Sequence, residues 1–388
     1  MDIQTVKATV LSSPVFVLDA TEIVANLRVL ASLRQQCGVK ILYSIKALPA
    51  SVVLEIAKPF VDGFSVSSLF EARLAHHVIG RKGQIHLTTP GIKPDEIAAL
   101  AGIVTHINFN SLTQYQQFAD AVKVRSSLGL RVNPKLSFAN DARFDPCRKH
   151  SKLGVDIDTL WLSNSIDQVQ GLHIHTVFSA LDFMPLLKTV AKLREYMSDK
   201  LAKLKWINLG GGYLFSAIKD HTAFVDLVLK LKQDFAIDVY IEPGKAVVGN
   251  AGYLLATVLD SFVSEGKTIA ILDTSVNHNP EVFEYQRPPE LHEHDELGKY
   301  EVVLAGCTCL AGDVFGEYRV KEALKVGDKV VFKNVGAYSL IKANRFNGYA
   351  LPSMAVWNGG RFDIIKQDSY EDYCQQWVSD NVLHARAI

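Results

Sequence analysis

The sequence has no excess of charge of either sign, because 41 Lys and Arg offset 41 Asp and Glu over 388 residues. Without a charged field nothing draws in a polyanion or an anionic lipid surface, so neither nucleic acid nor membrane is expected as a partner. Long apolar runs are missing too. Runs such as Ala251–Leu259 stop well short of the roughly 18 residues that a membrane-spanning helix needs. Cysteine is scarce, with five residues and no C-x-x-C spacing, which fits a reducing compartment better than a disulfide framework. The start, Met1-Asp2-Ile3-Gln4, has no basic segment leading into an apolar stretch, and a cytoplasmic location is expected. Low-complexity linkers and internal repeats are absent as well.

What is present is an alternation. Short β-branched runs recur at Lys40–Lys46, Phe64–Ser67, Ile85–Thr88, His106–Phe109, Leu128–Val132, Leu172–Thr176, Trp206–Leu209 and Val239–Ile241. Amphipathic stretches of helical period lie between them, among them Ser51–Lys58, Leu69–Ile79, Leu112–Val122, Pro185–Met197 and Thr222–Phe235. Apolar strands separated by helices predict a parallel sheet covered on both faces, and eight such units can close as a (β/α)8 barrel. A doubly wound open sheet is the alternative. Special residues at the carboxyl ends of nearly all the strands favour the barrel. Beyond Lys245 the pattern changes to strands joined by polar turns, such as Tyr253–Leu259, Thr268–Leu272, Tyr300–Leu304, Lys329–Phe332 and Met354–Trp357. The predicted organisation is an α/β barrel over residues 14–245 and a mainly antiparallel β domain over 246–388, joined by residues 1–13.

Four groups at predicted strand ends can carry chemistry. Lys46 closes an apolar strand just before Leu48-Pro49. It is either an ion-paired surface lysine or an amine made nucleophilic by desolvation, able to form an imine with a carbonyl. His173 and His175 share one face of a strand and could bind a metal or stack on a planar ligand. Gly210-Gly211-Gly212 follows a strand and allows the close backbone approach that a phosphate uses, or makes a tight turn. Glu242, in Glu242-Pro243-Gly244, could pair with a neighbouring strand or hold a proton on a heteroaromatic nitrogen. An amine, an imidazole, a glycine cradle and an acid on four strands together meet the needs of pyridoxal phosphate.

These segments, in this order, resemble the pyridoxal-phosphate decarboxylases of the alanine-racemase fold, and within them the carboxynorspermidine (carboxyspermidine) decarboxylase group. The resemblance rests on Tyr43-Ser44-Ile45-Lys46-Ala47-Leu48-Pro49, Gly171-Leu172-His173-Ile174-His175-Thr176, Asn208-Leu209-Gly210-Gly211-Gly212-Tyr213 and Ile241-Glu242-Pro243-Gly244-Lys245-Ala246. Gly306-Cys307-Thr308-Cys309-Leu310-Ala311-Gly312-Asp313 and Gly336-Ala337-Tyr338 extend it through the second domain. It implies that Lys46 holds the cofactor covalently, that His175 stacks on its ring and that Glu242 bonds the ring nitrogen. Gly210, Gly211, Gly212, Gly244 and Tyr338 would hold its phosphate. Cys309 would be catalytic and would enter the site of a neighbouring subunit, which implies a homodimer with shared sites. Glu281, Glu284 and Asp313 are the acids expected to pair with the ammonium groups of a small amino-acid substrate.

Two segments depart from the group. Val177-Phe178-Ser179-Ala180 stands where a Cys-Glu region is usual, and Tyr285-Gln286-Arg287-Pro288 stands where Pro-Tyr-Arg-Pro is usual. Both fall in the expected substrate region, so a substrate with a different tail is an alternative. Three further alternatives are decarboxylation of another diamino acid, a metal-dependent barrel hydrolase built on His173 and His175, and a non-catalytic cofactor carrier.

Overall fold

Eight strands, Lys40–Ser44, Gly63–Val66, Gln84–Thr89, His106–Phe109, Ser127–Asn133, Gly171–Ile174, Trp206–Asn208 and Asp238–Ile241, pair in parallel. The last returns to the first through Tyr240 opposite Lys40 and Ile241 opposite Ile41, so the sheet closes as a barrel. The computed structural model describes residues 1–139, 141–163 and 167–379. Two compact units emerge, Ile23–Val247 and Met1–Glu22 with Val248–Ile388. The first holds the barrel. Alternate strand residues such as Ile85, Leu87, Ile107, Phe109, Leu172 and Ile174 are buried, and by the two-residue period they form the face that the helices cover. Serine starts two of those helices: the Ser68 hydroxyl accepts from the Glu71 N–H (3.2 Å) and the Ser111 hydroxyl from the Gln114 N–H (3.0 Å). Each satisfies an amide that the first helical turn leaves unpaired.

The barrel interior is filled by rings and polar groups rather than the branched aliphatics usual in such barrels. At the amino ends of the strands His86 stacks on His106 with ring centroids 3.8 Å apart. Trp206 and Tyr240 pack against both imidazoles. Gly129 and Gly171 make room for the indole, since a Cβ on either would lie 2.4 Å or less from Trp206 carbons. Lys40 closes this layer through Asp238 (2.6 Å).

Burial, followed by the neighbouring imidazole, holds the His86 pKa well below its ordinary value. Burial and the Lys40 cation hold His106 down to about 4. In the unfolded chain both take a proton below about pH 6.5, so their stabilising neutral forms count above that pH, and stability falls as pH drops toward 4. From the His106 value of about 4, its share between pH 7 and pH 5 is on the order of 2 kcal/mol. Urea unfolding of the wild type and His106→Phe at both pH values should show a smaller pH-dependent loss in the variant. Equal losses would refute this account of the ring layer.

The second unit is built on a mixed, mainly antiparallel sheet. Its long strand Gly252–Ser264 pairs along its first part with Val15–Asp19 and Lys329–Lys333, and along its second part with Lys267–Leu272. The change of partners coincides with a register break between Val258 and Asp260, the kind of irregularity that bends a strand. The sheet extends to Tyr300–Ala305 and Val314–Val320 on one side and to Ser353–Asn358 and Arg361–Lys366 on the other. Ile3, Val6, Val10, Val17, Leu255 and Trp357 share one core. Because Val15–Asp19 lies in this sheet, beside Ser353–Asn358, the barrel unit begins at Ile23 rather than at residue 14. Residues 380–388 of the predicted second domain lie outside the described residues.

Candidate active site

At the carboxyl ends of the barrel strands two turns are joined. Lys46 sits in the single 3-10 turn Ile45–Ala47 that follows its strand. Glu242-Pro243-Gly244 follows the adjacent strand, and the Ser44 N–H donates to the Pro243 carbonyl (3.0 Å). Gly244 lies against the Lys46 turn so closely that a Cβ there would stand 3.1 Å from the Ala47 methyl and 3.2 Å from the Ser44 carbonyl oxygen. The amine and the acid therefore project from neighbouring strands into one mouth.

Burial is the first cause of the lowered Lys46 pKa; Arg131 adds to it, while Glu242 and Glu71 oppose it. Burial alone would raise the Glu242 pKa, but His173 and Lys46 outweigh it and hold the carboxyl well below the usual range. Glu242 is thus an ionised acid in a closed setting. Its Oε1 accepts from Asn208 Nδ2 (2.7 Å), and its Oε2 lies 3.3 Å from His173 Nε2. Since an ionised carboxylate only accepts, His173 carries its proton on Nε2.

His175 is held neutral by burial and by the Lys46 and Arg131 cations. Its Nδ1 accepts from the Gly211 N–H (3.1 Å), which leaves the proton on Nε2 and fixes the ring plane. Gly210 and Gly212 have positive φ, +71° and +94°, a conformation that glycine adopts freely. A Cβ on Gly210, Gly211 or Gly212 would come within 2.2 Å of the carbonyl oxygen of Ile174, Glu242 or Val177 respectively. The run is thus pressed onto the neighbouring strand ends. The Gly210 N–H donates to Asn208 Oδ1 (2.9 Å).

Sequence reasoning did not single out Asn208, Arg131 or Glu71. Arg131 is buried, and Glu71 accepts from the Ser67 N–H (2.6 Å). Asn208 lies in one of the motifs given above, and Arg131 and Glu71 lie in the run Leu128–Val132 and the stretch Leu69–Ile79, yet their partners are set by strand register. Of the two departing segments, Val177-Phe178-Ser179-Ala180 places Phe178 against Phe144 (5.8 Å between centroids), with Lys245 Nζ 5.4 Å from the Phe178 ring.

The remaining predicted residues belong to the second unit. Cys309 is exposed on the turn between Tyr300–Ala305 and Val314–Val320, and its N–H donates to Asn347 Oδ1 (2.9 Å). Asp313 braces that turn from inside: it accepts from the Val276 N–H (2.8 Å) and from the Thr308 N–H (3.1 Å) and hydroxyl (2.5 Å). Glu281 accepts from the Tyr285 hydroxyl (2.7 Å), and Glu284 pairs with Lys342 (2.5 Å). Tyr338 is half-buried at φ +60°, with Lys342 Nζ 5.6 Å from its ring. No cluster of three or more His, Cys, Asp or Glu with metal-holding geometry exists among the described residues.

The barrel mouth fits pyridoxal phosphate on its own chemistry. It offers an amine of lowered pKa, a fixed flat imidazole, an ionised acid and a glycine run packed flush on the neighbouring strand ends, with Gly212 part-exposed. A barrel with a second β domain and this set of groups fits an enzyme of the pyridoxal-phosphate class. Residues 15–336 match the family model described as pyridoxal-dependent decarboxylase, C-terminal sheet domain, and the chain belongs to the pyridoxal-dependent decarboxylases.

Among its relatives is the carboxynorspermidine/carboxyspermidine decarboxylase of Campylobacter jejuni, 32% identical over 94% of this chain and 98% of the relative. The carboxyaminopropylagmatine decarboxylase of Synechocystis is 30% identical over 94% of this chain and 95% of its own. The crystal structure of carboxynorspermidine decarboxylase complexed with norspermidine, from Campylobacter jejuni, superposes with a TM-score of 0.86 at 30% identity. It covers 94% of this chain and 100% of that one. The metal-hydrolase alternative is not favoured, and the predicted fold class is the one found.

Proposed function

We propose that the chain decarboxylates carboxynorspermidine or carboxyspermidine, or a near analogue, in polyamine biosynthesis, as a cytoplasmic homodimer. The observation that carries this reading is the joined pair of turns that sets Lys46 and Glu242 on adjacent strands. Lys46 would hold pyridoxal phosphate covalently, His175 would lie on its ring, and Glu242 would face its ring nitrogen. Gly210, Gly211, Gly212, Gly244 and Tyr338 would surround its phosphate. When bound, the cofactor supplies the electron sink for the carbanion left as carbon dioxide departs.

Lys46 or Cys309 would return a proton to the α-carbon, Cys309 from the partner subunit. Glu281, Glu284 and Asp313 would set the negative potential that receives the distal ammonium groups, Asp313 also through the turn it braces. The unit Ile23–Val247 would serve as the cofactor-binding domain. Loss of the usual acid at Val177-Phe178-Ser179-Ala180 favours a tail that differs from that of the simplest triamine, as the Synechocystis relative's name illustrates.

A carbon dioxide release assay with carboxynorspermidine, carboxyspermidine, carboxyaminopropylagmatine, diaminopimelate, ornithine and lysine tests the reading. The largest kcat/KM is expected for one of the first three. Release from only the last three would overturn the substrate class, and no release from any would overturn the proposal.

A further inference from the structure

Glu242 is gripped by two buried side chains, Asn208 and His173. Asn208 is fully buried, and its amide has one possible orientation. The Gly210 N–H requires an acceptor, so Oδ1 faces the glycine run (2.9 Å) and Nδ2 must face Glu242 (2.7 Å). Glu242 answers with its own N–H, which donates to the Gly210 carbonyl (2.8 Å). A closed circuit therefore links the glycine run to the acid, through the side chain in one direction and the backbone in the other. His173, also buried, supplies the second donor to the carboxylate (3.3 Å), and its other ring nitrogen has no hydrogen-bond partner. Each carboxylate oxygen thus has one donor behind it. A lone buried carboxylate would gain a proton or rotate to find donors.

We infer that Asn208 and His173 are positioning residues that act through Glu242. Together they keep its carboxylate ionised and fixed toward the cofactor's ring nitrogen, and Asn208 makes that position follow the glycine run. The inference rests on the reading that Glu242 faces that nitrogen. An amide is suited to the Asn208 place because it pairs one acceptor with one donor, which a hydrocarbon side chain lacks. The same logic makes glutamine the conservative replacement for His173, since its amide can donate from nearly the same point.

The test compares wild type, Asn208→Ala, His173→Leu, His173→Gln and Glu242→Ala, each freed of cofactor and reloaded with pyridoxal phosphate. Three quantities are read: the dissociation constant for the cofactor, the pH midpoint of the visible absorption band of the loaded protein, and kcat against KM. Losing one hydrogen bond to a charged group should weaken cofactor binding about tenfold in Asn208→Ala and His173→Leu. It should also move the pH midpoint and lower kcat more than it changes KM, and His173→Gln should restore most of each. Circular dichroism and a melting curve of the cofactor-free protein establish folding. If Asn208→Ala does not fold, His173→Leu decides by itself.

A folded Asn208→Ala or His173→Leu with the wild-type dissociation constant and pH midpoint overturns the inference, provided Glu242→Ala changes both. Unchanged values in Glu242→Ala would instead overturn the placement of Glu242 at the ring.

Discussion

Lys46→Ala should abolish carbon dioxide release while leaving the fold intact. The side chain opens from a three-residue 3-10 turn toward solvent, so alanine removes no packing that the turn depends on. What is lost is chemical. Although the residue is exposed to the open mouth, desolvation by the protein around that mouth and the nearby Arg131 lower the amine's pKa, which enlarges the uncharged, nucleophilic fraction at neutral pH. It would tether the cofactor and serve as one of two proton donors, and proton transfer by a placed group contributes about 10²–10⁴-fold. The expected residual rate is therefore below about one-thousandth of wild type. Wild-type protein reduced with borohydride should carry its label on Lys46, and the variant should carry none. Turnover within tenfold of wild type would remove Lys46 from the reaction. Mixing Lys46→Ala with Cys309→Ala should also restore part of the activity if sites are shared between chains, because one hybrid site would then contain both native residues. No recovery after verified subunit exchange would show that each chain holds its own complete site.

The barrel was legible because its strands carry the signal twice, as β-branched runs and as helix-period segments between them. Lys46, Gly210 and Glu242 stood out because each ends such a run within three residues of a glycine or proline. The second unit was harder to read. Val15–Asp19 is followed at once by the helix Ala20–Cys37, as a barrel strand would be, yet it pairs with Gly252–Ser264 and Ser353–Asn358. Local pattern cannot say which sheet a strand joins. Val314–Val320 escaped notice because glycine and charge interrupt it, and its partner Tyr300–Ala305 supplies the pairing that its own sequence does not advertise. Glu290–Lys299 is rich in acids and histidines, a composition ordinary for an exposed loop. Leu291 is nevertheless buried, and Glu290–Leu291 forms a two-residue strand against Lys329–Lys333, too short for any periodicity to reveal. At the site, the sequence placed His173 and His175 on one face. It could not show that His173 meets an acid 69 positions away, because that meeting depends on how several strands are staggered around the barrel.

Glu242→Ala is expected to slow the chemical step by about 10²-fold or more, equivalent to a few kcal/mol of barrier. The carboxylate is buried and ionised, and a fixed negative charge favours a proton on a nitrogen placed opposite it. A protonated ring draws electrons more strongly than a neutral one, so losing the acid weakens the sink when the substrate's carboxylate leaves. Stability should fall as well, since alanine leaves Asn208 Nδ2 and His173 Nε2 as buried donors without an acceptor, at about 1–3 kcal/mol for each unmet group. Glu242→Gln separates the two effects. Its single oxygen can satisfy Asn208 Nδ2, but its NH2 then faces His173, whose Nε2 accepts only if the ring proton moves to the partnerless Nδ1, so part of the stability loss remains. Its neutral amide cannot hold a proton on the ring nitrogen by charge, so the rate should stay near that of the alanine variant although the melting temperature recovers partway. Single-turnover carbon dioxide release measured beside thermal melts distinguishes the outcomes. A glutamine variant with the wild-type chemical rate would mean that Glu242 shapes the mouth without tuning the reaction. A variant as slow as alanine but more stable would assign the acid's charge, and not merely its bulk, to catalysis.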